Sequence, residues 1–318
     1  MKRSHLLTLC CFGLLATACR SAQTGDVVKS TYIHKYGVPV TQEEWNRQGK
    51  DGKVVQLHKD GVTTSKGYAG GALHGECTYS FPNTSTLAKI EIYENGSLVS
   101  RKTNFPSGIP QTEESFEKEL IASRNVWFED GTPQIVESYS QGLLTSGEYR
   151  SPINNIEARV KGGEGTRIVR SSEGVLLAKE SIEGGRRAER VDYYPSGDPQ
   201  AITPYQNDHI HGTRLTFAPG GLPNTVEQWA YDLQEGITTV YQNGEKVAEV
   251  PYLHGKREGV EKKFRDGTIL VEEMTWKNDR PHGIRTIYVD GARQTDYFHQ
   301  GEIVSRPTYE RLNPPRSV

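Results

Sequence analysis

Apolar and glycine positions recur along this chain at a nearly fixed spacing. Four segments superimpose almost without gaps, running Gly212 to Phe217, Gly236 to Tyr241, Gly259 to Phe264 and Gly283 to Tyr288. Extending the frame backward finds Tyr194, Phe128, Phe105, Phe81 and His58, with Tyr149 and Arg170 filling the slot where the pattern weakens. Successive steps between these markers are 21 to 24 residues. A second marker follows inside each unit: Tyr68, Tyr93, Phe116, Tyr139, Val160, Ile182, Tyr205, Trp229, Tyr252, Trp276 and Tyr297. Asn95-Gly96, Asn243-Gly244, Asp266-Gly267 and Asp290-Gly291 punctuate the pattern. Such pairs tolerate positive φ and mark tight hairpin turns. Each unit of ~23 residues therefore reads strand, turn, strand, turn.

One segment conflicts with this frame. Residues 112–124 are rich in helix formers and follow Pro110, which alone would indicate a helix. The repeat places Phe116 in the second-strand slot, and the period is taken to override local propensity.

A lone two-stranded hairpin is marginal in water, so the units must stack. The fold class predicted is all-β, an elongated antiparallel meander of stacked hairpins in which about eleven units occupy residues 50–303, weakest over 140–190. At ~4.8 Å per strand, ~22 strands would extend at most ~100 Å. One aromatic row is expected from Phe217, Tyr241, Phe264 and Tyr288, and another from Trp229, Tyr252 and Trp276. Residues 19–49 and 304–318 are left to cap the exposed strand edges.

This pattern resembles the MORN repeat in its bacterial variant, G-x4-[YF]-x2-G followed by an aromatic strand. The resemblance covers residues 50–303 and is strongest over 194–301. It implies a MORN-like repeat sheet of the kind found in bacterial lipoproteins and antitoxin-like proteins.

Composition agrees with many short strands. Hydrophobic residues are 34%, charged ones 25%, and Gly (33) and Tyr (16) are abundant. The net charge of −2 gives no general attraction to phosphate backbones, so nucleic acid is not expected as a partner.

At the N-terminus, Lys2-Arg3 precedes an apolar stretch over residues 6–18, too short to span a bilayer as a helix. Leu15-Ala16-Thr17-Ala18-Cys19 resembles the lipobox of bacterial lipoproteins. This implies a signal peptide over residues 1–18, cleavage before Cys19 and lipid attachment to its thiol. Ala16-Thr17-Ala18 also fits an ordinary secretory cleavage site. Arg20 is not the Asp of inner-membrane retention, so the expected location is the bacterial cell envelope, lipid-anchored at the outer membrane. Loss of Cys10 and Cys11 with the signal would leave Cys77 as the one thiol besides Cys19, expected to be packed and inert.

Candidate chemistry is sparse. His74, His211, His254 and His282 each precede a glycine at equivalent turns and so do not converge; His209 and His211 alone could touch a metal, and two ligands make no site. Glu113, Glu114, Glu117 and Glu119 read as a solvated run. Gly162-Gly163-Glu164-Gly165 lacks the features of a phosphate loop, and no HExxH, G-x-S-x-G or CxxC occurs. Arg186, Arg187 and Arg190 could meet an acidic partner. No catalytic residue, metal or cofactor is predicted. The expected function is a non-enzymatic envelope lipoprotein whose repeat sheet is a protein-interaction or structural scaffold. The alternatives are a cell-wall or surface polysaccharide-acting enzyme, with carboxylates between residues 130 and 190, and an antitoxin-like neutralising partner.

Overall fold

A computed structural model describes residues 26–314. Strand takes 66% of the described residues and helix 5%, and the strands are joined in antiparallel meanders, so the fold is all-β as the period predicts. The chain divides into two compact units, residues 1–108 and 109–318. The segment assigned to repeats is thus shared between them.

In the first unit, strand Val27–His34 lies between Pro39–Val40 and Gly52–His58, and the ladder continues strand by strand to Ser97–Asn104. The helix Gln42–Arg47 opens with a capping box in which Thr41 and Glu44 satisfy each other's backbone amides. Its Trp45 is buried and meets the rings of Tyr32 and Tyr68 at 5.8 and 6.0 Å. The stretch before residue 50 therefore contributes a strand and an apolar plug to this unit.

In the second unit the ladder runs in chain order from Pro110–Glu117 to Glu302–Val304. Residues 112–124 form no helix: Pro110–Glu117 and Leu120–Trp127 pair through a tight turn, with Ser115 and Ser123 hydroxyls 2.7 Å apart. Propensity is worth only tenths of a kcal/mol per residue, whereas a helix here would leave the ladder unpaired. The last described element is the helix Arg306–Leu312, capped by Ser305, whose Tyr309 ring lies 5.4 Å from Tyr297.

Bulges shape the ladder. Register shifts fall next to marker residues, as at Thr216/Phe217, Val240/Tyr241 and Lys263/Phe264. The repeated glycine has its own cause. Gly259 sits at φ +110, and a side chain there would press against Pro251 of the neighbouring strand.

The sheet face that is buried holds both apolar and charged groups. In Leu176–Glu183, Ala178, Glu180 and Ile182 are buried while Leu177, Lys179, Ser181 and Glu183 are exposed. An aliphatic and aromatic cluster, Ile135, Leu144, Tyr149, Val160, Ile168 and Ile182, fills the region where the repeat is weakest. There Val160 and Ile182 stand at aromatic marker positions, because the interior is closely packed and accepts smaller side chains. The expected aromatic rows do not stack: no ring pair joins any of their seven members among the described residues. Successive markers have another strand between them, so they lie about 9–10 Å apart, beyond ring contact. Cations fill the gaps instead, with Lys246 3.9 Å from the Phe264 ring centre and Arg257 3.5 Å from that of Trp276.

Candidate functional site

Alternation along the strands sends carboxylates into the interior, where they need partners. The Glu137 side chain is fully buried, accepts hydrogen bonds from the Tyr139 and Tyr149 hydroxyls at 2.7 and 2.9 Å, and pairs with Arg167 Nε at 2.8 Å. Arg167 reaches on to Glu180 at 3.2 Å, and Glu180 also takes Arg187 at 3.2 Å and Arg190 at 2.7 Å. Burial alone would push the Glu180 carboxyl up, but the three guanidiniums outweigh it and hold it below the usual carboxylate range. Burial and Glu137 push the Tyr139 and Tyr149 hydroxyls up, so both remain protonated donors. Further along, Arg214 pairs with Glu227 at 3.0 Å, and Trp229 and Trp276 donate their indole N–H to Glu227 and Glu261. Of the carboxylates in the region 130–190, Glu137 and Glu180 are the two that are buried. Their oxygens are taken up by internal donors.

The opposite face of the second unit carries a different pattern. The residue after each repeated glycine points outward: Ile237, Val260 and Ile284 are 54%, 45% and 43% exposed, and Thr213 is exposed in the equivalent place. Cross-strand pairing places Ile237 beside Pro251, Val260 beside Thr275, and Ile284 beside Tyr297. Glu258 N–H bonds the Pro251 carbonyl and Thr275 Oγ1 bonds the Ile284 carbonyl, which makes the row continuous from strand to strand. Its last member, Tyr297, is the residue on which Tyr309 of the C-terminal helix rests. The molecule therefore already seats one aromatic ring of its C-terminal helix at one end of an uncovered apolar row.

The other residues singled out in the sequence are placed as follows. His74 and His282 Nδ1 accept backbone amides from Asn95 and Gln300, His209 pairs with Asp232 at 2.6 Å, and His254 lies 3.6 Å from Glu235. No group of three metal-ligating side chains occurs among the described residues. Glu114 lies 3.8 Å from Arg124, while Glu113, Glu117 and Glu119 are exposed. Arg187 pairs with Glu180, Arg190 with Glu180 and Asp192, and Arg186 with Asp208, so each member of that cluster has an internal partner. The glycines at 163 and 185 let turn backbones stack, with Gly185 N–H on Gly163 O and Gly163 N–H on Thr145 O. Cys77 is wholly buried, and burial pushes its thiol up. Cys19 and the segment 1–18 lie outside the described residues. The sequence reading missed the outward row, whose signal was a β-branched residue repeated directly after the aligned glycines.

No family model and no curated protein sequence matches this chain. Among solved structures it is similar to the crystal structure of TcdB2-TccC3, at 13% identity over 87% of this chain and 14% of that one, with a TM-score of 0.20. It is also similar to TcdB2-TccC3-Cdc42, at 12% identity over 79% of this chain and 16% of that one, with a TM-score of 0.18. A third is a porin-like protein from Bacteroides uniformis, at 9% identity over 77% of this chain and 89% of that one, with a TM-score of 0.16. The chain spans under a fifth of the first two. At these TM-scores none of the three informs the function.

Proposed function

We propose that this chain is a non-enzymatic scaffold of the bacterial envelope, tethered through a lipid on Cys19, that binds a protein partner along its second unit. The observation that carries the binding role is the outward row of Ile237, Val260 and Ile284, each close to half exposed on a regular strand surface. Surface β-branched residues scattered singly need no explanation, but a continuous row is the usual mark of an interaction face. The partner is an apolar helix or strand of another protein, since the row's end already takes a helix from this chain through Tyr297 and Tyr309. The tether rests on the lipobox-like Leu15 to Cys19 segment, and a place at the outer membrane on Arg20. The repeat's likeness to the bacterial MORN variant supports a scaffold role, and the balanced charge of the chain favours protein over nucleic acid.

Two experiments test this reading. Crosslinking pull-down from envelope extracts should recover a partner with the natural chain and lose it with Ile237→Ser, Val260→Ser and Ile284→Ser combined. Equal recovery would remove the row from the account. Palmitate labelling should disappear in Cys19→Ala, and equal labelling would remove the tether.

A further inference from the structure

The turns that follow the second markers are linked from hairpin to hairpin along one edge of the second unit. Arg186 pairs with Asp208, His209 with Asp232 at 2.6 Å, Glu235 with His254 at 3.6 Å, and Arg257 with Asp279 at 3.6 Å. Each cation or imidazole on one turn thus meets a carboxylate on a neighbouring turn. The next step of the same ladder would set Arg280 against the turn at Gln300-Gly301, where Gly301 stands in the place that Asp279 holds one turn earlier and the nearest acid in sequence is Glu302. Gly301 N–H instead bonds the Pro281 carbonyl.

The edge therefore ends with surplus positive charge. Lys256, Lys277 and Arg280 line one cleft together with Asn278, His282 and Gln300. None of the three cations has an ion pair among the described residues. Of the acids in the adjoining turns, Asp279 pairs with Arg257 at 3.6 Å and accepts its amide at 2.9 Å, and Glu258 Oε2 accepts the Asn278 amide at 2.8 Å. His282 Nδ1 accepts the Gln300 amide at 3.2 Å, so in the neutral ring the hydrogen sits on Nε2. Unpaired Arg and Lys heads gathered in a concavity beside amide donors suit a compact, multiply charged oxyanion.

We propose that this cleft binds the phosphate group of a soluble phosphate ester, with Lys256, Lys277 and Arg280 as its charge partners. The site is separate from the apolar row and does not depend on it.

The test is a titration of the full chain with inorganic phosphate at constant ionic strength, followed by the NMR shifts of the His282 ring. Saturable shifts with a millimolar midpoint are expected, weakened about tenfold or more in Lys277→Ala with Arg280→Ala. Lys262→Ala with Arg265→Ala removes the same charge from another surface of the unit and should leave the midpoint unchanged. Glycerol phosphate should bind with the same dependence on Lys277 and Arg280. Absence of saturable shifts, or equal weakening in both double variants, would overturn the proposal. So would sedimentation with phosphatidic acid vesicles in the absence of any response to the soluble phosphates.

Discussion

Substitution of Arg167 by Met probes the interior of the second unit most sharply. Arg167 holds both Glu137 and Glu180, whose side chains are 0% and 3% exposed. Removing one partner of a buried ion pair costs roughly 3–5 kcal/mol, because the remaining charge is left in low dielectric. Glu180 keeps Arg187 and Arg190, and Glu137 keeps two tyrosine hydroxyls, so the lower end, about 3 kcal/mol, is the appropriate figure. Native-state hydrogen exchange on the strands Pro133–Ser140 and Glu164–Arg170 reads this locally. Protection there should fall about a hundredfold, since each 1.4 kcal/mol is a factor of ten. Glu137→Gln combined with Arg167→Met should recover part of the loss, because a neutral amide still takes the tyrosine hydrogen bonds. Arg306→Met serves as the control: its pair with Glu310 is exposed on a short helix and should leave protection unchanged. A fall of less than about fivefold in Arg167→Met, or an equal fall in the control, would refute the claim that this interior depends on its charge network.

Acid should weaken the protein over a defined window. Glu180, Glu91 and Glu272 are held below the ordinary value of 4.5, so the stability they confer is fully present above that pH and is lost as pH falls through their lower folded values. Urea midpoints should be level from pH 7 to 5 and drop below about 4.5; a drop confined to the range above 5 would contradict this. Gly165→Ala should lower the urea midpoint by the equivalent of about 2 kcal/mol or more, since Gly165 has φ +142 and an added methyl would run into the Arg159 carbonyl. A midpoint within error of the natural chain would mean that the backbone at Gly165 relaxes freely.

Much of the fold is legible in the sequence because the period is set by turns and markers, both local features. Asn95-Gly96 and Asn243-Gly244 declare hairpins, and Asn95 and Asn243 take the positive φ such turns need. The helix-like composition of residues 112–124 misleads only if the frame is ignored, since Phe116 falls on the second-strand position and pairs with Ile121. The buried acids were harder to see. Glu137 and Glu180 stand two residues from Tyr139 and Ile182, which places them on the same inward face, but a carboxylate there reads as exposed until Arg167, a distant strand residue, is brought beside it. The aromatic rows failed for a geometric reason: strand pairing inserts a strand between equivalent markers, so cations and not rings occupy the gap. The cleft at Lys277 and Arg280 was invisible because it arises from a missing acid at Gly301, a departure from a pairing rule that only the coordinates reveal.

The account rests on hairpins that pair interchangeably with the units on either side. Deleting residues 236–258 removes one unit and should bring strand Gly259–Arg265 against Pro223–Ala230 in place of Gly236–Gln242. Thr225 now faces Val240, and in the shortened chain it should face Lys263. Thr225→Cys with Lys263→Cys should then form a disulfide only in the deletion variant, because in the full chain three strand spacings, about 14 Å, separate the two. Disulfide formation with retained strand content is the predicted result. An unfolded deletion variant, or a folded one in which 225 and 263 fail to link, would contradict the account.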